Sequence, residues 1–369
     1  MSSDYGWEVN SLITQASSRD RYIHLVDHFM TPGDGNGFPQ TFDYPAWKNC
    51  TVHVITSNVR IWDHGLEIQI TYPSGVPTVY VKTTVAQSMN VWVIATYVNP
   101  DSDVVPHSDY GIELFDAVGG SVYVPDGNML HFLERYSGQS TWYNTVNSDY
   151  KGWVEVETYT NTPPICFWRP KHTGHVYQPV TLTAMRSPDQ ASVRNFRWVV
   201  GCEYVPTGTG VTDGGEYYVY VFDVYIPKVV VNYGIEIKST TTSNNLVLGN
   251  GAPLVLNQIV DHTDFNVNSN NNSILECGAF QYAGYKATSI MPQMVKQFTI
   301  DGNTETHFVR FTNPYDGISG QHGRGNFANP DPALVTPQWY IDHMQDMGLI
   351  LAVIDTSQYD AVIKIENLE

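Results

Sequence analysis

The stretch that decides the fold covers residues 196–227, reading RWVVGCEYVP at 197–206, TGTGVTDGG at 207–215 and EYYVYVFDVYIP at 216–227. Two runs dense in Val, Tyr, Phe and Trp flank a Gly/Thr/Asp segment, which predicts two antiparallel strands joined by a flexible loop. In the second arm Tyr218, Tyr220, Phe222 and Val224 fall on one face, and Tyr217, Val219, Val221, Asp223 and Tyr225 on the other. Neither face is solvated in character. A strand covered on both sides belongs to the middle of a sandwich or to a contact between subunits.

The same texture extends outward on the N-terminal side. TVHVITSNVRIW (51–62), LEIQITYP (66–73), TVYVKTTVA (78–86), NVWVIATYV (90–98), GSVYVPD (120–126), WVEVETYT (153–160), ICFWRP (165–170) and VYQPVTLTAM (176–185) are short β-branched and aromatic runs between Pro, Gly, Asn or Asp clusters. Helical periodicity is scarce there, with DYGIELFDAV (109–118) as the one short helix expected. Strands this dense, without intervening helices, exclude a parallel α/β sheet and leave a sandwich or barrel. The turns are unequal, some tight and some long, and no repeat with a period of about 20–50 residues is present, so a propeller is disfavoured. The expected fold class is all-β: an antiparallel eight-stranded jelly-roll sandwich with long inserted surface loops and one or two short helices.

Four segments follow from this texture. Residues 1–45 read as an extended N-terminal arm whose aromatics Tyr5, Trp7, Phe29, Phe38 and Tyr44 dock it on a surface, and 46–230 as the jelly-roll core. Residues 231–335 read as a loop-rich β excursion or projection, including a hairpin in QFTIDGNTETHFVRF (297–311) turned at Asp301-Gly302. Residues 336–369 carry the clearest helix, with Thr336 to cap it, Pro337 at its first position, Trp339, Ile341 and Met344 along it and Gly348 at its end. LILAVIDT (349–356) and AVIKIENL (361–368) close the chain as strands expected to return to the core.

Composition narrows the class of function. Of 369 residues only 15% are charged and 13% are aromatic, the profile of a β-rich protein with polar loops rather than of a helical enzyme. The formal charge is −18, which repels nucleic acid and anionic membranes at long range. In 1–45 only Arg19 and Arg21 stand against six acidic residues, so no basic arm condenses a genome. Cys50, Cys166, Cys202 and Cys277 are isolated from one another, so reduced thiols in an intracellular setting are expected rather than a disulfide framework or zinc knuckle. The N-terminal segment MSSDYGWEVN lacks the charged and apolar regions of a signal peptide, and no apolar run of about 18 residues exists, so no membrane insertion is expected.

Catalytic motifs are absent: there is no GxSxG elbow, phosphate loop, GxGxxG after a strand, or HExxH. His172 and His175 in KHTGH, and His262 between Asp261 and Asp264, are the nearest approach to metal ligands, but no Cys, Asp or Glu stands near the first pair and loop histidines are the simpler explanation of both. Oxygen-rich turns at Asp34-Gly-Asn36, Asp213-Gly-Gly-Glu216 and Asp301-Gly-Asn303-Thr-Glu305 could hold a hard cation, although none has full Ca²⁺-loop spacing and Asp-Gly is first of all a turn former. A structural divalent cation at subunit contacts is the cofactor hypothesis; no catalytic or cofactor-binding residue is assigned, and the metal question stays open. Glu155 and Glu157 share one face of a strand, as a glycoside hydrolase pair could, but exposed strand positions do the same. Trp47, Trp62, Trp92, Trp142, Trp153 and Trp168 could form a sugar-binding platform, yet most sit within apolar strand patterns and read as core.

The strand spacing, the alternation of tight and long loops and the docked arm together resemble an icosahedral virus coat protein with a single jelly roll. HVITSNVRIW at 53–62 is similar to the first core strand of parvovirus coat proteins, and the helix followed by LILAVIDT or AVIKIENL is similar to that family's last helix and strand. The family's phospholipase motif is missing, so the resemblance points to small densoviruses, with picorna-like coat proteins nearly as similar. It implies a non-enzymatic capsid subunit that assembles inside the host cell with identical copies, encloses nucleic acid in a virion and presents loops to a host receptor. The alternative is a trimeric β-sandwich that binds a receptor or carbohydrate, for which NNLVLGNGAPLVL (244–256) is the motif; a β-rich hydrolase is the third reading.

Overall fold

A computed structural model describes residues 23–32, 39–57, 60–62, 65–84, 88–97, 113–115, 121–123, 130–139, 153–158, 162–170, 177–181, 196–204, 216–224, 237–238, 246–248, 253–267, 274–277, 286–289, 293–300, 303–312, 319–324 and 337–360. Within them the chain is all-β, as its composition predicts: the strands pair antiparallel throughout, except where Gln293–Ile300 runs parallel to Arg60–Trp62.

The wall of the molecule is the strand Asn90–Tyr97, NVWVIATY, whose first six residues are all buried. It lies between His24–Met30 and Thr51–Thr56 in a three-stranded sheet. Because successive side chains alternate across a strand, an unbroken apolar run must serve two interiors. Val91, Val93 and Ala95 enter one core, and Trp92 and Ile94 the other.

The first core is closed by a second three-stranded sheet, in which Thr78–Thr83 lies between Gln40–Asp43 and Leu66–Thr71. Leu66, Ile68, Val79 and Val81 point inward, while Gln69 and Lys82 are exposed, the alternation of a sheet with one wet face. The helix Pro337–Met347 completes this core through Ile341, Met344 and Met347, a spacing that keeps them on one side. Gly348 ends the helix at φ 63°; its N–H donates to Gln345 O at 3.1 Å, and Leu349 N–H donates to Met344 O at 3.1 Å. This pair of bonds is the Schellman arrangement, which needs a left-handed residue after the helix. A Cβ on Gly348 would also collide with the carbonyl oxygen of Ile68, so the glycine sets how closely helix and sheet approach.

The second core belongs to a six-stranded sheet ordered His131–Gln139, Glu216–Asp223, Ile165–Pro170, Lys286–Ser289, Leu351–Asp355 and Gln258–Val260. Tyr217, Val219 and Val221 on one face of Glu216–Asp223, and Tyr220 and Phe222 on the other, are all 0% exposed. These five side chains are buried within one chain, so their burial needs no contact between subunits. A second six-stranded sheet runs Phe265–Val267, Ile274–Cys277, Ser319–Arg324, Asn303–Thr312, Gln293–Ile300 and Arg60–Trp62.

Several local expectations hold. Gln293–Ile300 and Asn303–Thr312 pair antiparallel with Ile300 opposite Asn303, as the expected hairpin requires, and Pro337 and Gly348 bound the helix as predicted. Leu351–Asp355 is a strand, whereas 361–368 lies outside the described residues.

Others are corrected. The two arms of 196–227 do not form a hairpin: Phe196–Tyr204 lies between Trp153–Thr158 and Tyr177–Thr181, in a different sheet from Glu216–Asp223. A two-residue turn dictates pairing, but a connection of about ten residues leaves each arm to take whichever partner matches its faces. The expected helix at 109–118 contains the strand Glu113–Phe115, paired with Ser121–Tyr123; β-pairing overrides a weak helical period. TVHVITSNVRIW is two strands in different sheets, because Ser57 and Asn90 exchange Ser57 N–H to Asn90 O and Asn90 N–H to Ser57 Oγ, both 2.9 Å, and end the first. The expected N-terminal arm is described only from residue 23 onward, where His24–Met30 pairs with the wall strand and Phe29 stacks on Phe42 at 4.3 Å; Tyr5, Trp7 and Phe38 lie outside the described residues.

Candidate functional site

The densest group of charge in the described interior lies on the Tyr218, Tyr220 and Phe222 face of the second core. Cross-strand registry places Arg135 opposite Tyr220 and Arg169 opposite Tyr218. A helical turn at 357–360 follows Leu351–Asp355 and lies over this face: Tyr359 packs 5.2 Å from Phe132 and 5.1 Å from Phe222, between ring centroids. Its hydroxyl donates to Pro253 O at 3.2 Å and accepts from Val255 N–H at 3.1 Å.

Burying Tyr359 delivers Asp360 to the arginines. Asp360 Oδ1 accepts from Arg135 Nη1 at 2.7 Å and from Tyr220 OH at 2.9 Å, while Oδ2 accepts from Arg169 Nη2 at 3.2 Å. Arg169 Nε donates to Tyr220 OH at 3.1 Å. Both guanidinium carbons lie near the Tyr218 ring, at 4.4 Å for Arg135 and 4.9 Å for Arg169. The Tyr220 phenol is pushed up to about 12, first by burial and then by the Asp360 carboxylate, against the pull of Arg169, so it works as a neutral donor.

Chemically this is a clamp: one carboxylate bridges two strands and fastens a turn across them. Its groups are all engaged with one another, and nothing in it is a nucleophile activated by a base. Sequence reasoning passed over all three charged members. The available signal was Arg169 inside the buried-looking run ICFWRP, since charge in such a run demands a partner.

The residues singled out from sequence are not brought together. Asp261, His262 and Asp264 stay neighbours, but their carboxylates serve their own turn: Asp261 Oδ1 accepts from Thr263 N–H at 2.7 Å and from Thr263 Oγ1 at 2.6 Å, and Asp264 Oδ2 accepts from Asp261 N–H at 3.0 Å. Partial burial raises the Asp261 carboxyl, but the Thr263 bonds outweigh it and hold the group below its ordinary range. Among the described residues no three His, Cys, Asp or Glu side chains group as metal ligands do. His172, His175, Asp34, Asn36, Asp213 and Asp301 lie outside the described residues; Glu216, Asn303 and Glu305 lie in strands.

Glu155 is exposed and Glu157 half-buried, on the face opposite buried Val154 and Val156; their register partners are Val199 and Arg197. Trp47, Trp92 and Trp168 are core residues, and Trp92 Nε1 donates to Pro163 O at 2.9 Å, so these three offer no sugar platform. Trp62 and Trp153 lie in strands and Trp142 outside the described residues. Cys50 and Cys166 are buried free thiols, and burial raises the Cys166 thiol far above its ordinary range. No described helix is long and apolar enough to cross a membrane.

No known family, curated protein or solved structure matches this chain.

Proposed function

We propose that the chain is a viral coat subunit: a jelly-roll protein whose work is to self-assemble into a closed icosahedral shell around nucleic acid and to present surface loops to a host receptor. The observation that carries this reading is how the described interior uses its polar groups. Arg135, Arg169, Tyr220 and Asp360 tie strands and a turn together, and the aromatic strand Glu216–Asp223 buries side chains on both faces, as suits a rigid building block rather than an open catalytic cleft.

Association then draws on surfaces other than that strand. Contacts of ordinary size, roughly 1,600 Å² in total at about 25 cal/mol per Å² of apolar area, hold a multivalent shell even when each is weak. A coat with charge −18 and no basic arm encloses its genome through protein contacts, with little electrostatic condensation.

Size-exclusion chromatography and negative-stain imaging of the purified chain test the reading. Closed megadalton particles are expected. A stable monomer at high concentration refutes it, and a discrete trimer replaces it with the receptor- or carbohydrate-binding alternative.

A further inference from the structure

The wall sheet and the six-stranded sheet are joined by a ring of three backbone hydrogen bonds. Ile23 N–H donates to Leu254 O at 3.2 Å, Leu254 N–H to Leu130 O at 2.7 Å, and Leu130 N–H to Ile23 O at 2.9 Å. The residue after Ile23 is His24, and the residue after Leu130 is His131; they are 4% and 0% exposed. Two imidazoles are thus buried where one sheet is sewn to the other. We propose that this seam is an acid-sensitive fastening, which opens when His24 takes a proton and frees the His24–Met30 strand from the six-stranded sheet.

The surroundings of His24 offer a proton little support. The Pro45–Trp47 turn contributes the Trp47 ring, 6.2 Å away between centroids. Its register partner in the wall is Ala95, and Asn90 through Ala95 contain no ionisable side chain. The segment 253–256 is Pro-Leu-Val-Leu, with Tyr359 hydrogen-bonded to its backbone. The six-stranded sheet contributes His131, whose register partner Asp223 is itself buried and accepts from Val224 N–H at 2.7 Å. A carboxyl group is therefore placed opposite His131, while His24 has a second imidazole for its ionisable neighbour. On its own strand, Asp27 is bonded by Tyr44 OH at 3.0 Å and by His28 N–H at 2.8 Å, and His28 Nε2 lies 3.0 Å from Asn90 Oδ1.

Burial first, and His131 second, hold His24 down to about 3, against 6.5 in water. The folded pKa is depressed below the unfolded one for a base, so the stabilisation is complete above about pH 6.5 and is lost as pH falls toward the folded value. In that window the opened state binds a proton that the closed state refuses. For a group that regains its ordinary pKa on opening, the opening equilibrium rises about 25-fold between pH 7 and pH 5. The seam is acid-sensitive whether or not the chain is a coat subunit.

Hydrogen exchange by mass spectrometry on the full chain at pH 7 and pH 5, corrected for the intrinsic pH dependence of exchange, tests it. Amides of 23–30, 130 and 254 should gain at least about 25-fold in opening relative to those of Thr78–Thr83, a strand without histidine, and His24→Gln should remove most of the gain, burial of His28 on the same strand accounting for the rest. Equal responses in the two regions overturn the proposal, as does a folded His24→Gln protein with the wild-type response. If that variant does not fold, the comparison of regions within the wild-type chain decides alone.

Discussion

Replacing Asp360 by Asn removes one negative charge and almost no volume from the clamp on the second core. The carboxylate accepts three bonds, at 2.7, 2.9 and 3.2 Å, from Arg135, Tyr220 and Arg169. The side chains of Asp360 and Arg169 are 13% and 8% exposed, so Arg169 would keep its charge in a poorly hydrated place after its counter-charge had gone. Removing one partner of a buried ion pair costs about 3–5 kcal/mol, mostly through the charge left behind. Arg135, at 24% exposed, recovers part of its hydration, which places the expected loss at the lower end, about 3 kcal/mol. With a urea slope of about 3 kcal/mol per M, the unfolding midpoint falls by about 1 M. Arg135→Met keeps the aliphatic stem and removes a single bond from the wetter partner, so it should cost about 1 kcal/mol. Urea titrations followed by tryptophan fluorescence measure both. A midpoint within 0.3 M (about 1 kcal/mol) of wild type for Asp360→Asn, or a larger loss for Arg135→Met than for Asp360→Asn, would refute the argument that the shared carboxylate holds the clamp.

Two further outcomes can be read with simple assays. Gly348→Ala meets both a left-handed backbone and the Ile68 carbonyl, so thermal unfolding should reveal a loss of more than about 1 kcal/mol; an unchanged Tm would show that the helix end tolerates displacement. Cys166 is buried, with its thiol raised by burial, so in native protein at pH 8 it should resist iodoacetamide and react only in urea, as peptide mass spectrometry would show.

Much of the local structure was legible because its causes are local. VWVIA (91–95) is apolar without a break and became the wall between two cores, while LEIQIT and TVYVKT alternate and became a sheet with one wet face. Asp301-Gly302 and the Pro337 to Gly348 frame each rest on backbone preferences carried by two or three residues. HFLERYSGQ was missed as a strand, since Glu, Arg, Ser and Gly interrupt its apolar pattern. The clamp was missed for a different reason: Arg135 and Asp360 are 225 residues apart, and neither segment names the other.

The amino-acid order on its own determined the all-β class, the positions of most runs that became strands, the tight hairpin and the ends of the helix, because these follow from side-chain alternation and from φ preferences within a few residues. Tertiary structure decided which run pairs with which. It parted the two arms of 196–227, divided 51–62 between sheets and brought His24 to His131. Antiparallel runs of similar composition offer nearly equal pairing energy, so when loops are long only the joint burial of all faces selects among them.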